Sequence, residues 1–175
     1  MTAVKSGLMI IDQHRAHVRI LYERYLTARR QQTAESQQQL FPEVLELSTS
    51  ERVQMEQLLP SMKDMGFAIE QDLEGRFVIN AIPAGMDGIN IGALIDDMIS
   101  DAKEKSGSAV DELFRTISLS LARHAAIPYG QVLNNEEMES LVNELFACEN
   151  VNYAPDGKNI LTILPQDEIE QRIGK

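Results

Sequence analysis

A carboxylate, an amide and an imidazole stand side by side at Asp12, Gln13 and His14, directly after the apolar run Leu8–Ile11. Carboxylates and imidazoles are donors that hold a divalent ion, and such an ion polarises phosphate and activates water. The run before them is rich in branched residues and reads as a strand buried on both faces. A helical pattern follows, with Ala16, Ile20 and Tyr22 among Arg15, Arg19, Glu23 and Arg24, and with Tyr25 and Leu26 extending the apolar side. A strand that ends in Asp-Gln-His and opens a helix sets polar side chains at a sheet rim, where sites often lie. The plainer account is that Asp12 caps the helix and His14 makes a surface hydrogen bond. The residues alone support either.

The bulk of the sequence narrows the setting. Its 175 residues are 43% hydrophobic and 25% charged, ordinary for a globular chain with one good core or two small lobes. Against 16 basic residues stand 27 acidic ones, for a formal net charge of −11. Such a surface repels a phosphate backbone over most of its area, so nucleic-acid contact has to be local and weak, or delivered by another domain. Arg15, Arg19, Arg24, Arg29 and Arg30 do cluster, but with no aromatic platform between them they read as a solvated helix face. Cys148 is the one cysteine, which excludes an intrachain disulfide and makes a cytoplasmic setting the simplest inference. Beside Leu145–Ala147 it reads as a small core residue rather than a nucleophile. No apolar stretch reaches membrane-spanning length, and the N-terminus lacks signal-peptide architecture. The chain enters a strand within Met1–Val4, an abrupt start that points to a piece of a longer protein.

The elements that must position these residues follow from local pattern. The helix from His14 runs to about Arg30 and gives way to the polar connector Gln31–Gln39, either a helical extension or a mobile link. Phe41–Leu47 reads as a strand. Ser48-x-x-Glu51 is a capping-box spacing ahead of Val53, Leu58 and Met62, and Gly66 ends that helix. Phe67–Gln71 and Arg76–Ile82 form a hairpin around Glu74-Gly75. Three amphipathic helices follow, marked by Ile91, Leu94, Ile95, Met98 and Ile99, then by Val110, Leu113, Phe114, Ile117 and Leu121, then by Met138, Leu141, Val142, Leu145 and Phe146. Ser108-x-x-Asp111 and Asn134 cap the last two. Ile160–Leu164 is a strand, and the tail from Pro165 adds a short helix. Strands and helices mix without regular βαβ alternation, so the fold class is α+β. No Gly-rich phosphate loop and no Ser/His/Asp triad is present.

IIDQHRAHVRILYERY resembles the opening motif of the C-terminal domain of MutL, the DNA mismatch-repair family, in which Asp-Gln-His-Ala is followed by two spaced glutamates. Asp12, Gln13, His14 and Glu23 match in type and spacing, while Arg15 replaces the alanine and Val18 the first glutamate. The resemblance implies a two-lobed fold: residues 1–30 and 121–175 form a dimerisation lobe, and 31–120 an inserted external lobe. It also implies a homodimer that holds two ATP-driven arms together and docks other repair factors, with a mismatch-recognition protein and a sliding clamp as partners. DNA contact would be weak or made through an N-terminal ATPase region, and no membrane partner is expected.

Nuclease-active relatives draw ion ligands from three places. The first is the Asp-Gln-His start plus a glutamate one turn on, where this chain has Val18. The second is an Ala-Cys-x-Ala-Ala-Ile segment, resembled by Ala122–Gly130 with Arg123 in the cysteine slot. The third is a Cys-Pro-His-Gly segment, resembled by Ala154–Asn159 with Ala154 and Asp156 for the cysteine and histidine. The resemblance therefore implies a degraded endonuclease site and no cofactor. The alternative is an altered site with Asp12, His14 and Glu23 catalytic and a zinc or manganese ion on Asp12, His14 and Asp156. A lone His17 or His124 is more often packed than ligating. Finally, Gln37-Gln38-Gln39-Leu40-Phe41 resembles the short peptide by which bacterial repair proteins dock on the sliding clamp, with Gln37, Leu40 and Phe41 as its contacts. The competing reading makes Leu40 and Phe41 the start of a core strand.

Overall fold

The computed structural model describes residues 2–4, 7–31, 33–86, 88–104 and 110–174. In chain order the elements are β1 (Thr2–Val4), β2 (Gly7–Ile11), α1 (Gln13–Gln31), β3 (Ser36–Leu45), α2 (Thr49–Asp64), β4 (Ala68–Gln71) and β5 (Phe77–Pro83). Then come α3 (Ile91–Glu104), α4 (Val110–Ala125), α5 (Asn135–Phe146), β6 (Leu161–Pro165) and α6 (Gln166–Ile173). The fold is α+β, as the sequence pattern implies. Two compact units divide it, Met1–Leu21 with Ala126–Lys175, and Tyr22–Ala125.

The first unit holds an antiparallel sheet of order β1-β2-β6. Gly7 is required where β2 begins: its φ is 149°, and a Cβ there would lie 2.1 Å from the Leu164 carbonyl oxygen. The unit's core gathers Ala16 and Ile20 of α1, Leu141 and Leu145 of α5, and Leu133, Ala154 and Ile160 from the connecting segments. Asn134 caps α5 in a capping box with Glu137. The expectation that β2 is buried on both faces is not met. Its residues are half-buried, and Ile10 is 37% exposed, because the first unit has too little mass to cover this sheet.

The second unit holds the sheet β3-β5-β4. Phe77 and Ile79 of β5 pack with Met55, Leu58 and Met62 of α2, Leu94, Ile95 and Met98 of α3, and Phe114, Ile117 and Leu121 of α4. The expected capping box is present: Ser48 Oγ accepts from the Glu51 N–H at 3.4 Å, and the Ser48 N–H donates to Glu51 Oε2 at 2.9 Å. The Ser48 hydroxyl also donates to Glu51 Oε2 at 2.7 Å, and this bond first, then that from the Ser48 N–H, holds the Glu51 carboxyl below its usual value. At the β4–β5 hairpin, Asp72 Oδ1 accepts from the backbone N–H of Arg76 at 2.8 Å and of Glu74 at 2.9 Å, and the Arg76 backbone bond leads in lowering its pKa. Gly66 ends α2 at φ 99°, as expected.

β3 differs from the sequence reading. It starts at Ser36 rather than Phe41, so the presumed connector is partly strand. Gln37 and Gln38 pair through their backbones with Ile82 and Ala81, a pairing that needs no apolar side chains on an edge strand. Ser108, proposed as a helix cap, lies outside the described residues.

Candidate functional site

The Asp-Gln-His turn sits where β2 hands over to α1. The Asp12 N–H donates to the Ile160 carbonyl at 2.8 Å, and Asp12 Oδ1 accepts the Arg15 N–H at 3.0 Å. Asp12 thus caps α1. Arg15 also lies 3.3 Å from Asp12 Oδ2 and donates Nη1 to the Asn159 carbonyl at 2.8 Å. One turn on, Arg19 Nε donates to the Tyr153 carbonyl at 2.8 Å. These two half-buried arginines fasten the 153–159 loop, which corrects their reading as no more than a solvated helix face. Gln13 Nε2 donates to the Gln131 carbonyl at 2.6 Å.

His14 and His17 hold the two backbone groups of one residue, Ile127. His14 Nδ1 lies 2.8 Å from the Ile127 carbonyl, which can only accept, so His14 carries its proton on Nδ1. The Ile127 N–H donates to His17 Nδ1 at 3.0 Å, so His17 presents a lone pair there. His14 also lies against Tyr129, with ring centroids 4.4 Å apart. Sequence reasoning saw both histidines but not their shared target, because Ile127 is more than a hundred residues away. An imidazole held through Nδ1–H to a carbonyl offers Nε2 outward, the orientation that ion ligands adopt.

The other positions that the resemblance names for an ion are occupied as follows. Val18 is 4% exposed and packed as core, and Ala154 is likewise 4% exposed. Asp156 is turned to Lys158, at 3.1 Å from its Nζ, within the tight turn Ala154–Lys158. Arg123 and Glu23 belong to the Tyr22–Ala125 unit, where His124 pairs with Asp97 at 2.8 Å. Among the described residues no group of three His, Cys, Asp or Glu is gathered to hold an ion. The donors present therefore do not fit the sulfur-containing centre of nuclease-active relatives.

A different site emerges on β3. Between Gln38, which faces Ala81, and Glu43, which faces Ile79, the residues Gln39–Pro42 stand opposite Asn80 alone. The strand bulges outward there. Leu40 is 92% exposed and Phe41 88%, so neither begins a core strand. Gln37 is half-buried in the ladder just before the bulge.

The first unit also leaves apolar surface uncovered. Ile163 of β6 is 44% exposed, and Val132, Met138, Phe146 and Tyr153 are exposed too. A cavity of about 360 Å³ is lined by Ile11, Gln13, Leu133, Met138, Glu139, Leu141 and Val142. Among the described residues, no helix is long and apolar enough to cross a membrane.

Comparison with known proteins follows the same lines. Residues 2–133 match the family model described as the MutL C terminal dimerisation domain. The DNA mismatch repair protein MutL of Bacteroides fragilis is 45% identical over 171 residues, covering 98% of this chain and 27% of that protein. Its counterpart in Phocaeicola vulgatus is 42% identical over 171 residues, covering 98% and 28%. That of Flavobacterium johnsoniae is 35% identical over 172 residues, covering 98% and 27%. The chain thus spans about a quarter of the length of the curated relatives it matches.

Proposed function

The chain belongs to the family of MutL C-terminal dimerisation domains, and from that premise we propose that it joins two copies of a mismatch-repair protein through the half-covered β1-β2-β6 sheet. The observation that carries this reading is a sheet left partly open on both faces within its own unit, with Ile10 exposed beside Thr162 on one face and Ile163 exposed beside Met9 on the other. Apolar side chains left open on a sheet are the kind of surface that a second subunit covers. Joining two copies raises the effective concentration of whatever arms precede the domain, which favours their closure around DNA. Light scattering over a dilution series tests the reading. A dimer that Ile163→Asp converts to monomer supports it, and a wild-type monomer at micromolar concentration refutes it.

For the nuclease question, the donor chemistry favours a domain that does not nick DNA, with the turn at Asp12 and His14 kept as a structural joint. The competing reading, an ion on Asp12, His14 and Asp156 with Glu23 in support, predicts manganese-dependent nicking of supercoiled plasmid that Asp12→Ala abolishes. That result would overturn our choice.

A second activity is favoured by the β3 bulge. Leu40 and Phe41 are displayed together beyond a glutamine anchored in the sheet, the arrangement a docking peptide needs to fill an apolar pocket on a sliding clamp. The domain would then be both a clasp between protomers and a tether to the replication machinery.

A further inference from the structure

A cluster of positive charge lies in the Tyr22–Ala125 unit, where the last turn of α1 meets the start of α4. Arg29, Arg30 and Arg115 line a cavity of about 340 Å³ together with Leu26, Asp111 and Phe114. Three guanidinium groups around one opening are conspicuous on a chain whose formal charge is −11. Arg29 is fixed in place: its guanidinium carbon lies 4.2 Å from the Phe114 ring centroid, and its Nη1 lies 2.9 Å from Asp111 Oδ1. Asp64 stands further off, at 3.9 Å from Arg29 Nε. The two carboxylates therefore offset Arg29. Arg30 and Arg115 are exposed, and among the described residues neither has an ion pair or hydrogen bond. Two unpaired guanidinium groups on one rim repel each other until an anion lies between them.

We propose that Arg30 and Arg115, with Arg29 as their fixed neighbour, hold backbone phosphates of double-stranded DNA without reading its sequence. The guanidinium fork matches phosphate oxygens in pairs, as an ammonium does not. The absence of base readout follows from Phe114. Its ring is 1% exposed and lies under Arg29, so no base can stack on it. An acidic peptide would meet the same charge. The choice of DNA rests on the mismatch-repair reading above, while the site itself is independent of dimerisation.

The test is anisotropy of a labelled duplex titrated with the whole chain at several salt concentrations, comparing wild type with the doubly substituted Arg30→Gln, Arg115→Gln protein. Both side chains are exposed, so the variant keeps the wild-type melting temperature. Losing two phosphate contacts flattens the slope of log affinity against log salt by about 2. Between about 50 and 200 mM salt the wild type then loses roughly tenfold more affinity than the variant. Equal slopes, or no binding by the wild type at the lowest salt, overturn the proposal. So does displacement of the duplex by polyglutamate at lower charge concentration than by unlabelled DNA. Light scattering on the same samples reports the dimer separately. Equal slopes, or no wild-type binding, with an intact dimer refute this site alone, and a wild-type monomer that still binds the duplex refutes only the dimerisation reading.

Discussion

Replacing Leu40 and Phe41 together by alanine separates a displayed docking pair from a piece of core. At 92% and 88% exposure the two side chains contribute almost no buried contact to the fold. Their truncation is therefore expected to change stability by no more than about 0.5 kcal/mol each. The same exposure leaves nearly their whole surface for a partner to cover. Full burial of a leucine or phenylalanine is worth about 1.5–3 kcal/mol, and paired hot-spot residues commonly cost about 2 kcal/mol or more each when truncated. Against a purified sliding clamp the double variant should lose about 3–4 kcal/mol, a Kd raised roughly 100- to 700-fold at 1.4 kcal/mol per decade. Surface plasmon resonance measures the binding, and thermal melting followed by circular dichroism measures the fold. Phe77→Ala serves as the core control, since Phe77 is 1% exposed. It should cost about 3–5 kcal/mol and lower Tm by roughly 6–20 °C. The reasoning fails if the double variant melts like the Phe77 control, or if clamp binding is indifferent to it.

Two further perturbations test the site and the second unit. Val18→Glu restores the residue type found in nuclease-active relatives, but Val18 is 4% exposed, so the carboxylate would be buried without a partner. The expected outcome is a destabilisation of about 2 kcal/mol or more, with no manganese-dependent nicking gained; a stable variant that nicks plasmid would show that the backbone still frames an ion site. Ser48→Ala removes the α2 cap and should cost about 1 kcal/mol in a denaturant melt. The Glu51 and Asp72 carboxyls both have lowered pKa values in the fold, so the stability they confer is present above their unfolded values and is lost as pH falls through the folded ones. Acid melts should show that loss below about pH 4, with a smaller loss in the Ser48→Ala protein.

Features set by neighbours in sequence were legible before the structure. The capping box at Ser48, the helix start at Asn134, the hairpin turn near Gly75 and the three amphipathic helices each depend on residues a few positions apart. The cap at Asp12 was legible too, as one of two accounts of the same turn. What escaped depends on distant partners or on the lack of one. The start of β3 at Ser36 is decided by backbone pairing with β5, so its glutamines gave no signal. The openness of β2 is invisible to a pattern that records only apolar character, since a half-open apolar strand reads like a strand inside a core. The arginines of α1 read as one solvated face, yet Arg15 and Arg19 tie down a loop while Arg29 lies on Phe114. Spacing along one helix cannot distinguish these roles.

The bulge in β3 also bears on how the molecule avoids sticking to itself. β3 lies at the border of its sheet, with one row of backbone groups facing outward, and an apolar pair on such a border is a template for runaway strand addition. The extra residues interrupt that row at the point where Leu40 and Phe41 project, and Pro42 has no N–H to offer an incoming strand. A greasy tip can therefore be shown to water on a border that resists extension by a passing chain. Straightening the strand by deleting residues there would restore an unbroken row of backbone groups, a template for fibrils.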